Sequence, residues 1–336
     1  MTTILEKPYG LHVNPKIFIP VIEKPSNCQR VIHSENAKVT ETDAVPSETI
    51  FVNEPYKNIF RRWCLKIVDV TIPENKSSTV KIISRHSEGI FADHWNIRIG
   101  KGSEALIIDE SEGQGYVCRS CTIIVDEESR LNFVLLNKTS GVLISAHTII
   151  GKEKSEINMF QAHKNCKAFT SPKIILENNA KGKINCIYNI SKDNHIEIIP
   201  TSEHIGKDSS SSIEVFGVLD DNSSVIINGL AKINSESFQS NGFQKIHSLT
   251  LSKDAKISIL PNLEINNNEV KCSHSASVSN IDPEHMHYLR SRGVPEKISR
   301  TLIVKGFIES RIEKFPQKVR EDARRILGIM ELKDDE

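Results

Sequence analysis

The chain has 336 residues, 38% of them hydrophobic and 26% charged, with Lys+Arg equal to Asp+Glu at 43 each. A neutral balance creates no field for nucleic acid or an anionic membrane, so a protein partner or small ligand is expected. No run approaches the ~20 apolar residues of a membrane span, and Met1–Lys7 lacks the basic and then apolar regions of a secretory signal, which predicts a cytoplasmic protein.

Residues 1–60 carry Pro8, Pro15, Pro20, Pro25 and Pro46 with little helical period, which predicts a short extended segment. Strand-like runs begin near Trp63 and recur at Thr79–Ile83 and Ala105–Ile108, opening a core assigned to residues 61–280. Paired runs then follow around polar turns: Thr122–Val125 with Leu131–Leu136, His147–Ile150 with Ile157–Phe160, and Lys173–Leu176 with Ile184–Tyr188. Ile213–Val218 with Val225–Leu230 and Leu249–Leu251 with Ile257–Leu260 continue the pattern. β-Branched content and Asp/Asn/Gly turns mark strands rather than helices. Ile123, Ile149 and Ile174 are about 26 residues apart, in the range of stacked repeats. Strands every 8–12 residues or so also fit a sandwich, but a constant period favours coils that bury their faces only by stacking, a β-solenoid. Its ends need covering, and a C-terminal cap is expected.

Seven cysteines, at 28, 64, 118, 121, 166, 186 and 272, are an odd and scattered set that predicts free thiols. Cys118 and Cys121 form a C-x-x-C, but i and i+3 on a strand point to opposite faces, and no second ligand pair stands at zinc spacing. They read as unrelated thiols, and Cys166 and Cys186 as core residues. His147, His163, His195, His204 and His247 are spread through the repeats without a legible alignment. Cys272 and His274 differ: alternating about Ser273, they face one side of a strand about 7 Å apart, where a thiolate and an imidazole could share a soft metal.

Residues 281–336 predict a helical subdomain. Asp282 suits an N-cap with Pro283 at the first helical position, Gly293 a stop, Pro295 a second start and Pro316 a third. His285 and His287 lie about 200° apart on the first helix and do not share a ligand set. On the second, Ile298, Leu302, Val304, Ile308, Ile312 and Phe315 fall on one broad side, with Ile303 and Phe307 nearly opposite. Burial of both sides between neighbours is one reading. The other is a docked face and a partner face bearing Ile303 and Phe307.

Val270–Ala276, Ile281–Gly293 and the pair Gly306-Phe307 resemble the SufB/SufD family of iron–sulfur cluster assembly scaffolds, the SufD branch more than SufB. Ser275 and His287 depart from its usual Gly and Phe. The resemblance implies a mainly β protein with a right-handed parallel β-helix core and a C-terminal helical subdomain. It also implies a non-catalytic scaffold that pairs with a SufB-like chain or with itself, with His274, and second Cys272, at an interface where an iron–sulfur cluster forms transiently. The helical tail is implied to dock a SufC-like ABC-type ATPase, and a flavin on the assembled complex is left open. No Walker motif occurs, so ATP hydrolysis is assigned to that partner. The longer helical N-terminal domain of many SufD-like proteins has little counterpart in residues 1–60. The alternative class is a carbohydrate-active β-helix enzyme, which needs convergent carboxylates; Asp126-Glu127-Glu128 and Asp220-Asp221 sit in turns instead.

Overall fold

Ten-residue strands separated by short polar turns build the core of a computed structural model that describes residues 28–43 and 64–329. Most of the expected extended segment, 1–27 and 44–60, lies outside the described residues. Strands β1 (Cys28–Glu35) and β2 (Lys38–Asp43) come first; β3 (Cys64–Ile72) and β4 (Ser77–His86) then form the opening turn of the stack. One sheet continues through β6 (Glu104–Gly113), β8 (Arg130–Thr139), β10 (Glu156–Lys164), β12 (Lys181–Ile190), β15 (Ser210–Leu219), β17 (Asn241–Thr250) and β19 (Lys271–Asn280). The other continues through β5 (Ile90–Ile99), β7 (Tyr116–Val125), β9 (Val142–Gly151) and β11 (Lys167–Leu176). It then breaks at Pro200 into β13 (His195–Ile198) and β14 (Thr201–His204), and ends with β16 (Ser224–Ile233) and β18 (Lys256–Ile265). The chain alternates between the sheets, and the result is a β-solenoid of about eight turns.

The repeat read from sequence is the observed register: Ile123 pairs with Ile149 and Ile149 with Ile174 in parallel ladders. Turns stack as well. Asn75, Glu128, Lys154, Asn179, Asp208 and Gln239 hold left-handed φ between 55° and 59°, a conformation that costs a non-glycine residue about 1–2 kcal/mol. Each backbone N–H donates to a carbonyl of the next turn, as Glu128 does to Glu153 and Lys154 to Asn178, both at 3.0 Å. These bonds offset the strain and extend the ladder around the corner. Ser103 and Ser129 tie the same corner inward, their Oγ donating to Pro73 and Gly100 carbonyls at 2.7 and 2.8 Å.

Inward-facing Val80, Ile107, Phe133, Met159, Ile184 and Ile213 form one row of a continuous core with Ile123, Ile149, Ile174 and Ile227 opposite. A polar row runs beside them: Ser84, Ser111, Asn137, His163, Tyr188, Gly217 and Ser248 are successive register partners. The Tyr188 hydroxyl passes over Gly217 to hydrogen-bond Ser248. A Cβ at Gly217 would lie 2.2 Å from the Tyr188 ring. Gly217→Ala is therefore expected to cost about 1–3 kcal/mol by overpacking; an unaltered chaotrope midpoint would refute it.

Arg119 is fully buried within this interior. Its guanidinium makes two bonds to Asp93, at 2.8 and 2.9 Å, a bond to Asp109, and bonds to Ser111 and Ser84 at 3.0 and 3.1 Å. The Trp95 ring lies 4.3 Å away, and Arg30 of β1 reaches Asp93 at 2.6 Å. Burial alone would raise Asp93, yet Arg119 and Arg30 hold it below its ordinary value; Asp109, with one oxygen unpartnered, is pushed by burial up to about 6.

Of the C-terminal helices, α1 (Pro283–Ser291) begins at Pro283, α2 (Glu296–Ile312) directly after Pro295, and α3 (Arg320–Leu327) one short turn beyond Pro316; Asp282 caps α1 by accepting from the Glu284 N–H at 2.8 Å. Among the described residues the expected cap over the end of the stack is not formed. Instead the tail turns back along the outer face of the β4–β19 sheet, burying Ile308, Ile312, Phe315, Val319, Ala323 and Leu327 against Val134, Leu136, Phe160, Ile187 and Val218. An outer sheet face that is itself apolar gives these helices a longer seat than the terminal coil could. None of the described helices is long and apolar enough to cross a membrane.

Candidate functional site at the open coil

The last coil is where the interior meets solvent. Cys272 and His274 on β19 register with Gly242 and Gln244 of β17, so they continue inward-facing rows, but among the described residues no further turn covers them. His274 is exposed and Cys272 half-buried. Opposite, Ile257, Ile259, Pro261, Leu263 and Ile265 of β18 continue the rows of Val225, Ile227, Gly229, Ala231 and Ile233. Leu260, Ile265 and Val278 expose 38–49% of their surface. Among the described residues β18 and β19 have strand partners on one side alone, which leaves two edges with free backbone donors and acceptors.

Burial raises the Cys272 thiol, partly opposed by a backbone hydrogen bond at Ser273. It is a thiol at neutral pH and loses its proton on binding a metal. Gln244, in register beneath His274, donates to the Asn262 carbonyl at 2.7 Å and so links the two sheets, while its Oε1 is buried without a partner. Sequence reading passed over Gln244, whose signal is its place one turn before His274. Among the described residues no group of three or more His, Cys, Asp or Glu could hold a metal ion. The open coil thus offers two donors, not a full set.

The other sequence candidates separate. Cys118 and Cys121 are both buried, Cys121 in the main core, and burial raises both thiols. Cys166 and Cys186 are core residues, with Cys166 pushed up to about 12. The acidic turns engage in ion pairs: Asp126 with Arg98 at 3.1 Å and Glu127 with Lys101 at 2.6 Å. On α2 the expected phase is rotated. Phe307 packs inward, its ring 5.1 Å from His247 and edge-on, whereas Ile298 and Leu302, expected on the docked side, are exposed by 40% and 38%. Ile303 is half-buried. The seat is set by the sheet beneath, which a helical period alone does not reveal.

With this geometry in view, likeness to known proteins is specific. The SUF system FeS cluster assembly SufBD core domain matches residues 82–307. The iron–sulfur cluster assembly protein SufD of Bacillus subtilis is 35% identical over 113 residues, 34% of this chain and 26% of that protein. Its Escherichia coli namesake is 33% identical over 90 residues, 27% of this chain and 21% of the relative. A SufBD family protein of Mycobacterium tuberculosis, Rv1462, is 27% identical over 243 residues, 66% of this chain and 59% of the relative. The matched stretches thus span less than two thirds of these relatives. A match over most of the solenoid and into α2, together with eight stacked turns and a C-terminal helical tail, shows that the chain belongs to the SufBD core family of the SUF iron–sulfur cluster assembly system, on its SufD-like side.

Proposed function

We propose that this chain is a non-catalytic scaffold subunit that pairs through its open coil with a SufB-like chain, or with a second copy of itself, to build and release an iron–sulfur cluster. The observation that carries the reading is the incomplete donor pair on an unpaired strand: Cys272 and His274 reach solvent beside two free edges. Iron–sulfur clusters take about four protein ligands. A second chain added along β19 would supply the remainder, and separation of the edges would free the cluster. The cluster is thus cargo. A cleft of about 790 Å³ beside the open coil, lined by Leu251, Lys253, Ile257, Val278 and Arg300, has no aromatic side chain to stack on an isoalloxazine, so no flavin is assigned to it.

The chain is expected to form a dimer alone or with a SufB-like subunit, and His274→Ala to leave that assembly intact while depressing cluster yield, with a smaller loss for Cys272→Ala. Size measurement with iron and sulfide analysis checks both. A monomer under both conditions overturns the pairing, and wild-type yield from His274→Ala removes that residue from the mechanism.

For the SufC-like ATPase we assign the outer face of α2, keeping Ile303 from the sequence-based pair and replacing Phe307 with Ile298 and Leu302. Exposed apolar residues one turn apart suit a helix-in-groove contact. Ile298→Asp with Leu302→Asp is expected to abolish co-purification of the ATPase without moving the thermal midpoint; retained binding rejects the contact.

A further inference from the structure

The end of the stack opposite the open coil carries a second thiol–imidazole pair. Cys28, at the start of β1, and His86, at the end of β4, are partners in the antiparallel ladder, as are Arg30 and Ser84, and Ile32 and Ile82. Ile32 packs on the main core, so Cys28 and Arg30, alternating with it, face inward as His86 does. Partners on one face of such a ladder hold their Cβ atoms about 4.5–5.5 Å apart. His86 is 6% exposed, with its ring 5.0 Å from Phe91, and both its nitrogens lack a hydrogen-bond partner among the described residues. Arg30 commits its terminal nitrogens to Glu41 and Asp93, while its buried Nε is also without a partner. The Cys28 thiol, half-buried and so reachable from solvent, is pushed by burial up to about 11, a rise that the Arg30 charge opposes.

A buried imidazole and a buried guanidinium N–H without partners are unfavourable unless a ligand completes them. The donors select that ligand. A thiolate and a neutral imidazole are soft, and metal bonds of about 2.0–2.3 Å to each span side chains so placed. Among the described residues no group of three or more His, Cys, Asp or Glu could hold a metal ion, which leaves zinc short of its four ligands. Charge narrows the choice further. Asp93 and Asp109 balance Arg30 and Arg119, so a monovalent cation that displaces the thiol proton leaves the local charge unchanged. A divalent cation would add an uncompensated positive charge beside two guanidinium groups. The thiolate formed on binding accepts from the Arg30 Nε–H, and one imidazole nitrogen gives its lone pair to the metal.

We propose that Cys28 and His86 form a two-coordinate site for copper(I) that joins β1 to β4, with Arg30 donating to the thiolate. The metal replaces the thiol proton, which leaves to solvent, and no electron is transferred.

The test uses the full chain carrying Cys272→Ala and His274→Ala, which removes the donors of the open coil. It is titrated without oxygen with copper(I) against a chromophoric copper(I) chelator, and in parallel with zinc. A single equivalent of copper(I) is expected to bind and to raise the melting temperature, with X-ray absorption reporting one sulfur and one nitrogen neighbour. Cys28→Ser and His86→Leu are each expected to weaken copper(I) by about a hundredfold, at least the upper end of what losing an outer partner of a metal site costs. His86→Leu should not lower the metal-free melting temperature, since it removes a ring whose nitrogens bond nothing. Copper(I) binding unmoved by Cys28→Ser, a copper(I) site with sulfur neighbours alone, or zinc held as tightly as copper(I) overturns the proposal. Should His86→Leu melt early, Cys28→Ser, at a half-buried position, decides alone.

Discussion

Arg119→Met is expected to lower stability by about 3–5 kcal/mol, the range for removing one partner of a buried charge cluster. Asp93 and Asp109 would both lose their shared cation, and Arg30 reaches Asp93 alone. Because each coil contacts its neighbours and not distant ones, loss should begin in the N-terminal turns and may be followed by amide exchange in β4 to β7. Lys101→Met, which breaks the exposed pair with Glu127, should change nothing measurable. An Arg119→Met protein with the parental chaotrope midpoint and parental exchange in those strands would show that the cluster contributes no net stability.

Acid should unfold this protein well above the pH at which ordinary carboxylates titrate. Burial lowers His86 and His147 to about 3 and His163 and His204 to about 4. Unfolded imidazoles titrate near 6.5, so between 6.5 and those values the unfolded chain binds more protons. Stability contributed by the neutral imidazoles is complete above 6.5 and is lost as pH falls, at about 1.4 kcal/mol per pH unit for each histidine. Asp109, raised to about 6, acts in the opposite direction between 3.8 and 6, one group against four. Both His147 nitrogens lack a partner, so His147→Leu should flatten the slope by about one proton. A melting temperature constant from pH 7 to 5 would refute the account.

Much of the solenoid is legible because its register is a sequence distance: residues about 26 apart become hydrogen-bonded neighbours. Cys272 and His274 are legible for the same reason, as alternation on a strand fixes a shared face. The seat of the tail is less so. Phe133–Leu136 is apolar on both faces, and all four residues are buried, a signal that something must cover the outside as well as the inside. It was there to read, but it does not say which helix face arrives, and Phe307 consequently packs on the sheet while Ile298, expected there, is exposed. Arg119 had no local signal at all. Its partners Asp93 and Asp109 stand 26 and 10 residues away, and an arginine between two cysteines reads as a surface residue until the coils bring those carboxylates to it.

The two ends of the stack are chemically unlike. At one, β1 and β2 pair antiparallel with β4 and β3 and carry Arg30, Glu35, Lys38, Glu41 and Asp43, so the described edge there is short and charged. At the other, β18 and β19 offer ten-residue edges with apolar rows behind them. A stack adhesive at both ends would polymerise head to tail without limit. Among the described residues a single end is adhesive, so the edge-to-edge pairing proposed above would halt after one union and close on a two-chain particle rather than a fibre.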